Sequence, residues 1–91
     1  MNNVVPVLAA DQARVNVTWA GKNGDLVDPV PVDATDADVR AWATEAVRTG
    51  GIPGVPADER ADLTDFVIDR YAPTEARPWT MWQIRPKTAF G

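Results

Sequence analysis

The sequence predicts an α+β domain in which one amphipathic helix packs across a four-stranded mixed sheet. Between Val39 and Val47, apolar residues recur at the spacing that collects them on one face of a 3.6-residue helix. Two segments with strand patterns precede this helix, and two apolar segments follow it. The predicted order of elements is therefore strand, strand, helix, strand, strand.

Segment 13–20 alternates apolar and polar residues, which is the pattern of a half-buried strand. The side chains predicted to face the core are Val15, Val17 and Trp19. Residues 21–24 contain an Asn-Gly pair that accepts positive φ at little cost, so they predict the turn of a hairpin. The domain is predicted to span 13–86, with an N-terminal arm at 1–12 and a C-terminal tail at 87–91.

The return strand of the hairpin is predicted over residues 26–32. The residues expected to point inward are Leu26, Val30 and Val32. Because Pro29 and Pro31 have no N–H to donate to a neighbouring strand, this strand should lie at an edge of the sheet.

The helix is predicted to begin at about Asp36 and to end at Thr49. Thr35 is the expected N-cap, and the acidic side chains of Asp36 and Asp38 suit the positive end of the helix dipole. Gly50 offers the left-handed residue that commonly ends a helix. The apolar stripe expected to cover the sheet consists of Val39, Trp42, Ala43, Ala46 and Val47.

Two further strands are predicted after the helix. Segment 65–71 has a dense apolar centre, and Pro73 follows it closely, which favours a strand. A helix is the alternative there, because apolar residues in and just before this segment also recur at helical spacing. The last strand covers 79–85 and ends before Pro86.

Composition excludes most catalytic chemistry. The chain has 91 residues with no cysteine and no histidine, so thiolate and imidazole ligands and histidine general bases are absent. The carboxylates do not follow the spacing of a helix-loop-helix calcium site, and the Gly-rich segment follows a helix instead of opening one. We therefore predict a non-enzymatic protein without a metal or other cofactor.

Charge and hydropathy bear on the partners. A net charge of −4 opposes binding to phosphate backbones, so a nucleic-acid partner is not expected. The N-terminal residues have no basic region before a short apolar run, and the chain has no apolar stretch long enough to span a membrane. A cytoplasmic protein whose partners are other proteins is the resulting expectation.

Two segments flanking the predicted helix carry a resemblance to a known family. Residues 32–35, Val-Asp-Ala-Thr, enter the helix, while Gly-Ile-Pro at 51–53 and Pro-Ala-Asp-Glu-Arg at 56–60 leave it. Together with the hairpin-helix-strand-strand order, which matches a minimal β-grasp fold, these segments resemble ubiquitin-like proteins over residues 13–71. The resemblance implies a β-grasp domain that acts in protein interactions. It also implies that the last strand runs parallel to the first at the centre of the sheet, through a connection of fixed handedness.

The resemblance also implies a modifier conjugated through its C-terminal carboxylate, here Gly91. The chain departs from that pattern, because it ends in Phe90-Gly91 where conjugated modifiers usually end in Gly-Gly. It also has only a short loop where ubiquitin-like proteins have a further strand and turn. Conjugation is therefore the third hypothesis for the function.

The predicted partner-binding residues lie near the C-terminus. Trp79 and Trp82 should point to opposite faces of the last strand, so at least one should lie on the face that the helix leaves uncovered, unless residues 4–8 fold over it. Exposed aromatic residues are typical interface anchors. The complete set comprises Trp79, Trp82, Arg85, Lys87, Phe90 and Gly91.

The first hypothesis for the function is therefore a protein-interaction module. The alternative is a structural subunit of a virion or another assembly, in which the arm and tail dock on neighbouring subunits.

Overall fold

The computed structural model describes residues 11–87, which form one helix and a mixed sheet packed against it. The elements are β1 (Gln12–Trp19), β2 (Lys22–Asp25), β3 (Val30–Pro31), α1 (Asp36–Thr49), β4 (Val67–Tyr71) and β5 (Thr80–Arg85). The α+β class predicted from the sequence is confirmed. The sheet of the described residues has five strands instead of four, because two short strands replace the predicted return strand at 26–32. β2 lies before that range, in the predicted turn, and β3 keeps only residues 30–31 of it.

The strands are ordered β2-β1-β5-β4, and β3 also pairs with β1. β1 and β5 run parallel at the centre, with Val15 opposite Trp82 and Val17 opposite Ile84. The other pairs are antiparallel. The predicted parallel central pair and the edge position of the return strand are both confirmed.

The hairpin turn lies at Ala20-Gly21, where φ is 52° and 78°, and not at the Asn-Gly pair. The prediction of a turn over 21–24 was therefore wrong. Asn23 instead pairs with Thr18 inside the ladder. Gly24 is required there for another reason, since a Cβ at this position would lie 2.1 Å from the carbonyl oxygen of Pro53. The dipeptide serves close packing of β2 on the loop that follows the helix.

The return strand breaks at residues 27–29. The N–H of Leu26 still donates to the Val15 carbonyl, and Leu26 and Val30 are buried as predicted. Pro29 cannot continue the ladder, so the chain leaves the sheet and rejoins it at β3. Beyond the break Val32 is 39% exposed, which contradicts its predicted inward position.

Helix α1 has the ends that the sequence predicts. The Thr35 side chain accepts from the Asp38 N–H while the Asp38 carboxylate accepts from the Thr35 N–H, which completes a capping box. At the other end Gly50 takes φ 75°, and its N–H donates to Val47.

The buried stripe of α1 is shifted relative to the prediction. Segment 61–66 covers one flank of the helix, where the buried Thr44 hydroxyl accepts from the Leu63 N–H at 3.1 Å. Arg48 donates to the Ala61 carbonyl at 2.8 Å on this side. Trp42 lies on the other flank and is 43% exposed, so its predicted core position was wrong. The side chains that do lie in the stripe are Val39, Ala43, Thr44 and Val47.

The predicted strand at 65–71 is confirmed as β4, and the helical alternative is wrong. β4 pairs antiparallel with β5, with Ile68 opposite Ile84. Its residue Arg70 reaches the helix N-terminus through a 2.5 Å ion pair with Asp36. The guanidinium also lies 3.9 Å from the centroid of the Trp82 ring. One arginine thus ties the sheet edge to the start of the helix.

Candidate functional site

Trp82 lies in the core. It is 3% exposed, sits opposite the fully buried Val15 in the parallel pair, and is covered by the Arg70 guanidinium. The expectation that Trp82 provides a surface anchor is thereby corrected. The Trp82 side chain lies on the same face of β5 as the fully buried Ile84, two residues away, which is the face that packs on the helix.

Trp79 precedes β5 and is half-buried. Its indole N–H is shielded from solvent and has no hydrogen-bond partner among residues 11–87. Its carbonyl accepts from the Arg77 guanidinium, which also donates to Ala72 at 2.9 Å. Arg77 thereby closes the loop between β4 and β5, and Trp79 is the end of that loop.

Arg85 lies on the face of the sheet that the helix leaves open and donates to Asp69 at 2.7 Å. This hydrogen bond and the nearby negative charge raise the pKa of Arg85. Lys87 is exposed. Phe90 and Gly91 lie outside the described residues, as do residues 1–10, so conjugation through Gly91 and docking by the arm or tail stay predictions.

The open face of the sheet is polar around the pairing of β1 with β2. Asn16 and Asn23 exchange side-chain amide hydrogen bonds at 2.7 and 3.1 Å, and Asn16 also donates to Asp25 at 2.8 Å. Gln83 adds a further donor to Asn16 at 3.3 Å. Side chains already satisfied by one another have little to gain from an apolar partner. The predicted aromatic docking face does not exist in this part of the sheet.

An apolar groove lies elsewhere, between the break in the return strand and the exposed flank of α1. It encloses about 350 Å³, which is at the lower end of the range for ligand pockets. Its lining residues are Leu26, Val27, Asp28, Pro29, Val30, Pro31, Trp42 and Ala46. We call this feature the Trp42 groove. Val27 is 68% exposed and Trp42 43% exposed, so its two walls each present a large apolar side chain to solvent.

The charge around the Trp42 groove is negative. Asp28 is a lining residue, and none of the lining residues is basic. Asp38 and Glu45, both exposed, lie about one helical turn from Trp42 on the same side of the helix. The two helix arginines are engaged on the other flank, where Arg40 donates to the Phe66 carbonyl at 2.8 Å.

The sequence held a signal for this groove that pattern reasoning missed. The two prolines were interpreted only as markers of an edge strand, although they also open a break in it. Trp42 stands at the border of the apolar stripe, where burial depends on which loop covers the helix. A border aromatic next to a proline-broken strand would have indicated an exposed apolar site.

Among residues 11–87, no group of three or more acidic, histidine or cysteine side chains is placed to hold a metal ion. The pKa of Asp62 is lowered because its carboxylate accepts hydrogen bonds from the backbone and the hydroxyl of Thr64. That arrangement stabilises a local turn. Within the same residues, no helix has the length and apolar character needed to cross a membrane.

Comparisons of this chain with protein-family models, curated proteins and solved structures found no match.

Proposed function

We propose that this domain is a non-enzymatic protein-interaction module with a β-grasp, ubiquitin-like architecture. The strand order β2-β1-β5-β4 and the parallel pairing of β1 with β5 support the architecture, as does the single helix that follows the first hairpin. An architecture of this kind hosts many roles, so the function is argued from the surface.

The Trp42 groove is the observation that carries the proposal. A tryptophan is among the most frequent interface anchors, and here it forms one wall of a concavity whose other wall is also apolar. The occupant is a segment of a partner protein that inserts one or two side chains between Val27 and Trp42. The part of the open sheet face around Asn16 lacks such a feature, because its amides bond to one another.

A display selection tests the proposal without assuming the partner. A random short-peptide library is selected on the folded domain, and each binder is then measured against Trp42→Ala and Tyr71→Ala. Tyr71 is the matched control, because it is an aromatic residue of nearly equal exposure, 42%, on the β4 edge. Amide NMR spectra verify that both variants fold.

The expected binders lose about tenfold or more in affinity with Trp42→Ala and keep their affinity with Tyr71→Ala. The proposed function would be contradicted if the selected peptides bound both variants with unchanged affinity, or if the library yielded no peptide whose binding depends on Trp42.

A further inference from the structure

We infer that the Trp42 groove takes a cationic segment of a partner, in which Lys or Arg side chains stand beside an apolar anchor. This inference rests on the proposed function and names the chemistry of the partner. It commits to a peptide that docks by its side chains, for three reasons taken in turn below.

The first reason is charge complementarity. Asp28 lies in the groove, Asp38 and Glu45 flank Trp42, and none of the lining residues carries a positive charge. The Asp38 carboxylate accepts a hydrogen bond from the Thr35 N–H at the helix N-cap, at 3.3 Å. An anionic partner would bring like charges together at this rim, whereas a cationic one would be attracted.

The second reason is the nature of the helix wall. The negative face of an indole ring attracts a Lys ammonium or an Arg guanidinium, and tryptophan is the best of the aromatic residues for this. The protein already uses the interaction internally, where Arg70 lies 3.9 Å from the ring centroid of Trp82. Trp42 is 43% exposed and no arginine from its own helix is directed to it, since Arg40 and Arg48 donate to carbonyls of segment 61–66.

The third reason concerns the other wall and decides how the partner binds. A peptide can join a sheet as an extra strand where the edge offers free N–H and C=O groups. Along this edge Pro29 and Pro31 have no N–H, and residues 27–29 have left the ladder. Recognition by the groove therefore depends on side chains and not on strand addition.

Three end-capped peptides of equal length test the inference. Each alternates leucine with one polar residue type, which is arginine in the first, glutamine in the second and glutamate in the third. Binding is followed from the amide and indole N–H shifts of the intact chain during NMR titration. The titrations are repeated with Asp28→Asn, with Trp42→Ala and with the control Tyr71→Ala.

The expected result is that the arginine peptide binds about tenfold more tightly than the glutamine peptide and shifts residues 26–31 and 42–46. Asp28→Asn should reduce that preference about threefold, Trp42→Ala should remove it, and Tyr71→Ala should leave it unchanged. Added salt should weaken only the arginine peptide.

Two results would overturn the inference while leaving the proposed function intact. One is equal or tighter groove binding by the glutamine or glutamate peptide. The other is the absence of groove shifts with all three peptides, although the display selection still yields binders that depend on Trp42. If the selection itself yields no such binder, the proposed function fails, and the inference fails with it.

Discussion

Replacing Gly24 by alanine should destabilise the domain by about 1–3 kcal/mol. The added Cβ would lie 2.1 Å from the Pro53 carbonyl oxygen and 2.8 Å from Cγ2 of Ile52. The first atom is backbone and the second belongs to a fully buried side chain, so neither can move aside without displacing the packing of β2 on the loop after α1. The lower conformational entropy of the unfolded alanine variant offsets only about 0.4–1 kcal/mol of this cost.

Urea denaturation followed by tryptophan fluorescence measures the change as a shift of the midpoint at constant slope. Gly51→Ala is the matched control. A Cβ there would lie 3.6 Å from its nearest neighbour, the Ala46 carbonyl oxygen, which is an ordinary contact. We expect this control to be neutral or slightly stabilising. If Gly24→Ala were as stable as the wild-type protein, the close approach of β2 to Pro53 would be refuted.

Three further substitutions probe contacts described above. Thr44→Val should lower the free energy of unfolding by about 1–3 kcal/mol, because it leaves the buried Leu63 N–H without its acceptor. Thr44→Ser keeps the acceptor and should therefore lower the free energy of unfolding clearly less in the same urea titration. Arg70→Gln should lower the free energy of unfolding by about 1 kcal/mol, because it removes the partly exposed ion pair with Asp36 and the cation over the buried indole of Trp82. An unchanged urea midpoint would show that these two contacts contribute nothing to stability. The pKa of Asp62 is lowered in the folded protein, so its stabilising contribution is present above the unfolded pKa and is lost as pH falls through the folded value. Thr64→Ala keeps the backbone N–H donor and removes the hydroxyl, so it should raise the pKa of Asp62 part of the way toward its usual value. A carboxyl NMR titration that shows no rise would refute the contribution of the hydroxyl.

Local chemistry made much of the fold predictable. The ends of α1 follow from Thr35 and Gly50, whose capping roles depend on neighbours within a few residues. The inward faces of the strands follow from alternation, which is why Val15 and Val17 were placed in the core. The parallel pairing of β1 and β5 was expected from the β-grasp resemblance, which the order of elements suggested.

Features set by distant segments were not predictable in this way. The Asn-Gly pair is a strong turn signal, yet Gly24 lies in a strand, at a position where the carbonyl of Pro53 leaves no space for a side chain. Trp42 fits the apolar stripe, but its burial depends on which flank of α1 the segment 61–66 covers. The candidate site was missed for the same reason, since its two walls are brought together by tertiary packing alone.

The pairing of β1 with β5 has a consequence for co-translational folding. The strand at the middle of the sheet needs a neighbour that is synthesised some 65 residues later, since Val15 lies opposite Trp82. Until residues 80–85 have left the exit tunnel, β1 lacks its central partner β5, and the nascent hairpin and helix cannot complete the core. Folding should therefore occur in one late step, when the final strand slots between β1 and β4.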